Sequence, residues 1–282
     1  MEPLISALAL QDLLSDDDTL ILLDARHDLG NHQLGREQYL EGHIPGALFL
    51  DHEIDLCGPK TGNNGRHPLP EREAFIQLLG SLGINAKANI VVYDARDSMF
   101  AAHVWWMLRW AGCTSVRVLN GGWSAWGQIS GDIEREKPAP RAPVVWEPDN
   151  VSMPKVDANA VLANLNQAVF TVIDARAENR FRGENETIDP VAGHIPGALN
   201  WPFARNLDSD GFFLPADALK SGFAQLLGNH KPENIVHQCG SGISACHNLL
   251  AMEVAGLSGS ALYPGSWSEW CSDRSRPVAV GE

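Results

Sequence analysis

The chain contains itself twice, and this repeat limits the possible fold more than any other feature. Leu22-Leu23-Asp24-Ala25-Arg26 recurs as Val172-Ile173-Asp174-Ala175-Arg176, 150 residues on. Gly42-His43-Ile44-Pro45-Gly46-Ala47-Leu48 recurs unchanged as 193–199, 151 residues on. Ala111-Gly112 and Trp123-Ser124-x-Trp126 recur as Ala255-Gly256 and Trp267-Ser268-x-Trp270, 144 residues on. Blocks kept in order at nearly constant spacing mean two homologous domains, for which 282 residues suffice. The spacing assigns residues 1–131 to the first, 157–282 to the second and 132–156 to a linker. Within the linker lies Lys137-Pro138-Ala139-Pro140-Arg141-Ala142-Pro143, with Pro148 and Pro154 behind it. Proline at this density blocks helix and favours extended chain along a surface.

Each half alternates strand and helix patterns. Residues 19–24, 47–50, 89–94 and 116–119 read as strands, and 71–83, 98–112 and 123–129 as helices. The second half repeats the order, with strands near 169–174, 198–201, 234–238 and 261–263. Continuously apolar strands between helices predict an α/β fold: two tandem domains, each a mostly parallel sheet with helices on both faces. Ligands of such sheets bind beyond the carboxyl ends of the strands.

One such end carries a nucleophile. Asn234-Ile235-Val236-His237-Gln238 runs as a strand into Cys239-Gly240-Ser241-Gly242, and helical spacing resumes through Leu249, Leu250, Met252 and Val254. Strand, glycine-containing loop and helix aim backbone N–H groups and a positive helix end at one point, which stabilises a thiolate. Aligned on the 144-residue offset, the first half has Ala95-Arg96-Asp97-Ser98 there, without thiol or glycine. One copy keeps the chemistry and the other supplies a wall.

Composition narrows the function. A formal charge of −14 argues against nucleic-acid or anionic-membrane surfaces, though not against a small anion held by local arginines. The five cysteines, at 57, 113, 239, 246 and 271, show no CxxC spacing, so the sequence offers no metal site built on them and reads as thiols in a reducing, cytoplasmic setting. No run of apolar residues is long enough for a membrane helix, and the start lacks signal-peptide character.

The tandem Asp-Ala-Arg and Gly-His-Ile-Pro-Gly-Ala blocks, the loop Cys239-Gly240-Ser241-Gly242-Ile243-Ser244-Ala245 and the closing Gly265-Ser266-Trp267-Ser268-Glu269-Trp270 resemble the two-domain rhodanese superfamily of sulfurtransferases, over essentially the whole chain. The Cys-Gly-Ser-Gly loop is closer to its 3-mercaptopyruvate sulfurtransferases than to its thiosulfate-using rhodaneses. The resemblance implies that Cys239 takes a sulfane sulfur from a small anionic donor, becomes a persulfide and passes the sulfur to cyanide or a thiol, such as that of a thioredoxin-like protein. It implies no cofactor. It makes Ser241 a relay member with His67 and with an acid of the first domain, Glu53 as best match and Asp55 next. It assigns Gly240, Gly242, Ile243 and Ser244 to the sulfur-binding loop and Arg180 to the donor's carboxylate or sulfonate. A second arginine of the mercaptopyruvate enzymes is missing before Gly193, where Thr187-Ile188-Asp189-Pro190-Val191-Ala192 is shorter and acidic; Arg182 is the substitute at hand.

Two alternatives share the loop. A cysteine phosphatase of related fold needs histidine before the cysteine and arginine six after it; Gln238 and Ala245 stand there instead. A carrier that forms a persulfide without turning over keeps every loop residue and is separated only by kinetics. Asp24/Arg26, Asp174/Arg176, His43 and His194 occur in both halves, which points to structural ion pairs and turn hydrogen bonds. Tryptophans 105, 106, 110, 123 and 126 fall on two expected helices as core or interdomain contacts. Cys246 follows Cys239 by about two helical turns.

Overall fold

The computed structural model describes residues 2–17, 19–147 and 153–282. Proline 148 of the expected linker lies outside them. The first half comprises β1 (Leu4–Ile5), α1 (Ala7–Asp16), β2 (Ile21–Asp24), α2 (Leu34–Glu41), β3 (Leu48–Phe49), α3 (Arg72–Ser81), β4 (Ile90–Tyr93), α4 (Met99–Ala111), β5 (Val116–Leu119) and α5 (Gly122–Gln128). The second comprises α6 (Ala158–Gln167), β6 (Thr171–Asp174), α7 (Glu178–Phe181), β7 (Leu199–Asn200), α8 (Ala216–Leu227), β8 (Ile235–Gln238), α9 (Ile243–Val254), β9 (Ala261–Leu262) and α10 (Ser266–Trp270). The strands are ordered β1-β5-β4-β2-β3 and β7-β6-β8-β9. Every pairing between them is parallel. β2 and β4 are buried along their whole length, as is β8, because helices cover both faces and leave no solvent side to reward alternation.

The compact units are not contiguous halves. One comprises Met1–Cys57, Pro70–Ser152 and Ser209–Phe213; the other comprises Gly58–Leu69, Met153–Asp208 and Leu214–Glu282. Hydrogen bonds explain each transfer. Arg66 N–H donates to Ser268 Oγ at 3.0 Å, tying residues 58–69 into the second unit. Phe213 N–H donates to Asn120 Oδ1 at 2.9 Å and Arg96 donates to the Ser209 and Asp210 carbonyls, tying residues 209–213 into the first. The proline-rich segment lies along the first unit: Val144 N–H donates to Gly80 O at 2.9 Å and Trp146 Nε1 to Ala111 O at 3.1 Å.

The residues shared by both halves do the same structural work in each. The guanidinium of Arg26 binds Asp24 at 2.6 Å and the Gly42 carbonyl at 2.7 Å. Arg176 binds Asp174 at 2.6 Å and the Gly193 carbonyl at 2.8 Å. His43 Nδ1 lies 2.8 Å from Tyr39 O, and His194 Nδ1 lies 2.8 Å from Phe181 O. Each buried arginine is paired with its aspartate and bonded to a turn carbonyl, so each Asp-Ala-Arg end locks the following Gly-His-Ile-Pro turn to its sheet. Trp105, Trp106, Trp110 and Trp126 lie in the core of the first unit.

His237 is wholly buried on the central strand β8, its Nε2 3.0 Å from Met252 Sδ, and burial lowers the imidazole to about 3 from an ordinary 6.5. The folded chain therefore holds it neutral where the unfolded chain binds a proton. The stability it contributes is complete above about 6.5 and is lost as pH falls toward 3. Urea unfolding as a function of pH will show this loss, and His237→Leu will flatten the slope between those values; an unchanged slope would rule out the histidine as its source.

Candidate active site

Cys239 is the first residue beyond β8, and the segments around it fix its loop one hydrogen bond at a time. The Cys239 and Gly240 carbonyls accept the N–H groups of Trp267 and Ser268, both at 3.0 Å. The Cys239 N–H donates to Ser266 Oγ at 3.1 Å, and that hydroxyl donates to Tyr263 O at 2.9 Å. These bonds tie the loop's carbonyls to the start of α10. Gly242 N–H donates to Cys239 Sγ at 3.2 Å. Gly242 adopts φ +92°, and a Cβ on it would lie 2.5 Å from the Pro264 carbonyl oxygen, so only glycine fits. Then α9 begins, with no side chain capping its first turn.

The first unit contains the same device already filled. Tyr93 pairs with Asp24 as Gln238 pairs with Asp174, so the residue matching Cys239 is Asp94, not Ala95. The 144-residue alignment misses this because the first loop is one residue longer before its helix. Asp94 Oδ1 accepts from the N–H groups of Arg96 and Ser98, and Oδ2 from those of Phe100 and Ala101, at 3.0–3.2 Å. Ser98 adopts φ +61° where the second loop has Gly242, so the turn forms without glycine. Burial, then the neighbouring Asp97, pushes the Asp94 carboxyl up to about 7; the N–H donors resist that rise. The loop that lacks both thiol and glycine thus wraps its own carboxyl group.

Two arginines stand over the Cys239 loop. A Cβ on Gly240 would meet Arg66 Nη2 at 2.8 Å and Arg180 Nη1 at 3.7 Å. Asp189 holds both guanidinium groups, through Oδ1 on Arg66 Nη1 and through Oδ2 on Arg180 Nη2. Glu186 takes Arg180 Nε and Nη2 at 3.0 and 3.1 Å. The carboxylates thus hold Arg66 by Nη1 and Arg180 by Nε and Nη2, and leave Nη2 of Arg66 and Nη1 of Arg180 beside Gly240. Burial raises the Asp189 carboxyl, with Arg66 pulling it back. Burial also opposes ionisation of Glu186, but N–H donors from Ile188 and Asp189, together with Arg180, hold it below the usual range. Beside them His67 Nδ1 lies 2.7 Å from Ser241 Oγ, and both residues are buried.

Of the residues expected at the site, the second unit brings together Cys239, Gly240, Ser241, Gly242, His67 and Arg180. Arg182 stands in a half-exposed ladder with Glu184 at 3.0 Å and Glu178 at 3.9 Å. Arg66, not singled out from the sequence, is the arginine that stands with Arg180 beside Gly240, and the sequence signal was its position next to His67. Glu53 lies in the first unit, its Oε1 4.0 Å from His32 Nε2 and its carboxylate beside His27 and His52. Among the described residues, these last three side chains are the ones whose donor atoms converge closely enough for a metal. Ile243 and Ser244 open α9. Ser266 was also missed. It holds φ +54° where the first repeat has Gly122 at φ +55°, and a side chain at such a position is the clue that it works. Cys246 Sγ donates to Gly242 O at 3.3 Å, and burial, then Cys239, pushes its thiol up.

Comparison with known proteins follows this geometry. The model of the Rhodanese-like domain matches residues 6–129 and 157–273. The chain is 43% identical to "Probable 3-mercaptopyruvate sulfurtransferase" of Pseudomonas aeruginosa, covering 99% of this chain and 98% of that one. It is 36% identical to the thiosulfate sulfurtransferase of Bos taurus, covering 89% and 84%. The crystal structure of SseA from Escherichia coli, described as a 3-mercaptopyruvate sulfotransferase, superposes with a TM-score of 0.81 at 30% identity, covering 95% and 99%.

Gly242→Ala will cost about 1–3 kcal/mol from backbone strain, before any clash with Pro264 is counted. Urea denaturation and thiol-labelling rates at Cys239 will both change; unaltered stability and labelling would mean the loop tolerates a side chain there.

Proposed function

Because the chain belongs to the rhodanese family, with two rhodanese-like domains, we propose that it transfers a sulfane sulfur from 3-mercaptopyruvate, through a persulfide on Cys239, to a thiol or cyanide. One observation carries this reading beyond the relatives' names. The Asp94 carboxylate oxygens lie three bonds from Cα, and so would the terminal sulfur of a Cys239 persulfide. The loop whose N–H groups hold the Asp94 carboxyl group at that distance corresponds in the second unit to the Cys239 loop, where the thiol ends one atom short. The added sulfur atom supplies the missing anion.

In the step proposed, the Cys239 thiolate attacks the donor sulfur and the carbon–sulfur bond breaks. The bonding pair stays on carbon as the enolate of pyruvate. The proton carried in on the donor's sulfur passes to that carbon, leaving pyruvate and an anionic persulfide. Backbone N–H groups of the loop and the start of α9 stabilise this anion, and each such donor is worth about 2.7–4 kcal/mol. Arg66 Nη2 and Arg180 Nη1 receive the donor carboxylate as a fork from two residues. Ser241 and His67, already hydrogen-bonded, move the proton. Gly240, Gly242, Ile243 and Ser244 form the backbone wall of the pocket. The relay proposed is built on the Ser241–His67 pair. Cyanide or a thiolate then attacks the outer sulfur and restores the Cys239 thiolate.

The proposed acceptor in the cell is a thiol, such as that of a thioredoxin-like protein. The proposed setting is the cytoplasm, where free thiols at Cys57, Cys113, Cys239, Cys246 and Cys271 persist. Among the described residues no helix is long and apolar enough to cross a membrane.

Steady-state sulfur transfer to cyanide tests the reading. The expected kcat/KM is far higher with 3-mercaptopyruvate than with thiosulfate; the reverse would make the chain a thiosulfate:cyanide sulfurtransferase using the same persulfide, and a single stoichiometric transfer would make it a carrier. Cys239→Ser will abolish transfer while the circular dichroism spectrum persists; activity in that variant would refute the mechanism. Arg66→Gln will raise KM for 3-mercaptopyruvate about tenfold, and His67→Asn will lower kcat about 10²-fold. Unchanged constants in either variant would remove that residue from the site.

A further inference from the structure

The first unit gathers its own group of chemistry-bearing side chains. β2 and β3 are parallel neighbours, and both deliver their following residues to the same edge of the sheet. His27 follows the Asp24-Ala25-Arg26 end of β2, and His52 and Glu53 follow β3. One donor atom from each of the three lies within 4.8 Å of the others. The two imidazole rings stack with centroids 4.9 Å apart. His27 Nε2 is shielded from solvent and makes no hydrogen bond among the described residues. His32 borders the group, its Nε2 4.0 Å from Glu53 and its ring 5.5 Å from that of His27. Phe100 packs edge-on against both His27 and His52, forming an apolar wall behind them.

The repeat supplies an internal control. On the offsets of the matching blocks, His27 corresponds to Ala177, His52 to Phe203 and Glu53 to Ala204. The second unit builds the same sheet edge without any of these donors, so the fold alone does not require them. Nearby Asp51 is already committed, to Arg36 at 2.9 Å and to the N–H groups of Glu53 and Ile54, so it is no competitor for this group.

We infer that the first unit binds one divalent transition-metal ion, with zinc the best match, between His27, His52 and Glu53. Two imidazoles and one carboxylate form a borderline donor set that suits zinc and its first-row neighbours, whereas magnesium and calcium prefer oxygen throughout. A triangle with 4.8 Å sides has its centre about 2.8 Å from each corner, so inward side-chain rotation of less than about 1 Å gives zinc–nitrogen distances near 2.0–2.1 Å. His32 or a water completes four-coordination. The ion ties the loop after β2 to the turn after β3.

Calorimetric titration of the chelator-treated chain with Zn²⁺ tests the site. The expected result is one equivalent bound at micromolar affinity or tighter near neutral pH. His27→Ala and His52→Phe, the residues that the second unit carries at these places, will each weaken binding at least about tenfold. Because Cys239 is also a soft ligand, Co²⁺ is added to the unaltered chain as a second readout. Visible d–d bands without a sulfur-to-metal charge-transfer band are expected. No binding, binding unchanged in both histidine variants, or a thiolate charge-transfer band would each overturn the assignment.

Discussion

Backbone N–H groups converging beyond the central parallel strand are the feature on which both units depend. A parallel sheet ends with its carbonyls pointing outward, and the next helix begins with unsatisfied donors. A loop joining the two must either supply an anion or leave those donors wanting. The first unit supplies Asp94, whose carboxylate bonds four of them. The second places Cys239 in the same position, where the thiol accepts from Gly242 alone in the resting chain. Duplication thus left one cradle closed by a side chain and the other open to whatever the cysteine acquires.

Everything around Cys239 keeps that cradle in shape. Trp267 and Ser268 engage the loop carbonyls, and Ser266 takes the cysteine's own N–H despite its left-handed backbone. Above it, Arg66 and Arg180 would repel each other if Asp189 and Glu186 did not hold their outer edges. Those carboxylates lower the cost of bringing two cations together. The acidic segment before Gly193, which looked in sequence like a departure from the mercaptopyruvate pattern, is thus the support of the arginine pair.

The sheets were legible because their strands are continuously apolar and their ends repeat: Ile90-Val91-Val92-Tyr93 and Ile235-Val236-His237-Gln238 could hardly be anything else. The Cys239 loop was legible because Gly240 and Gly242 leave a local trace. Arg66 was not, since its place over Gly240 depends on residues 58–69 joining the unit formed by the other repeat, and no periodicity encodes such a transfer. The match of Asp94 to Cys239 was hidden by one extra residue in a loop, invisible when alignment is anchored on the helices that follow. His27 and His52 are 25 residues apart and meet only because β2 and β3 are neighbours.

The central claim is that the Cys239 cradle is completed by one sulfur atom. Its most direct test is the mass of the intact chain, and then of its peptides, after exposure to 3-mercaptopyruvate without an acceptor. The account predicts a single added sulfur, on the peptide containing Cys239, released as thiocyanate when cyanide is added. Sulfur on another cysteine, or none on any, would contradict it.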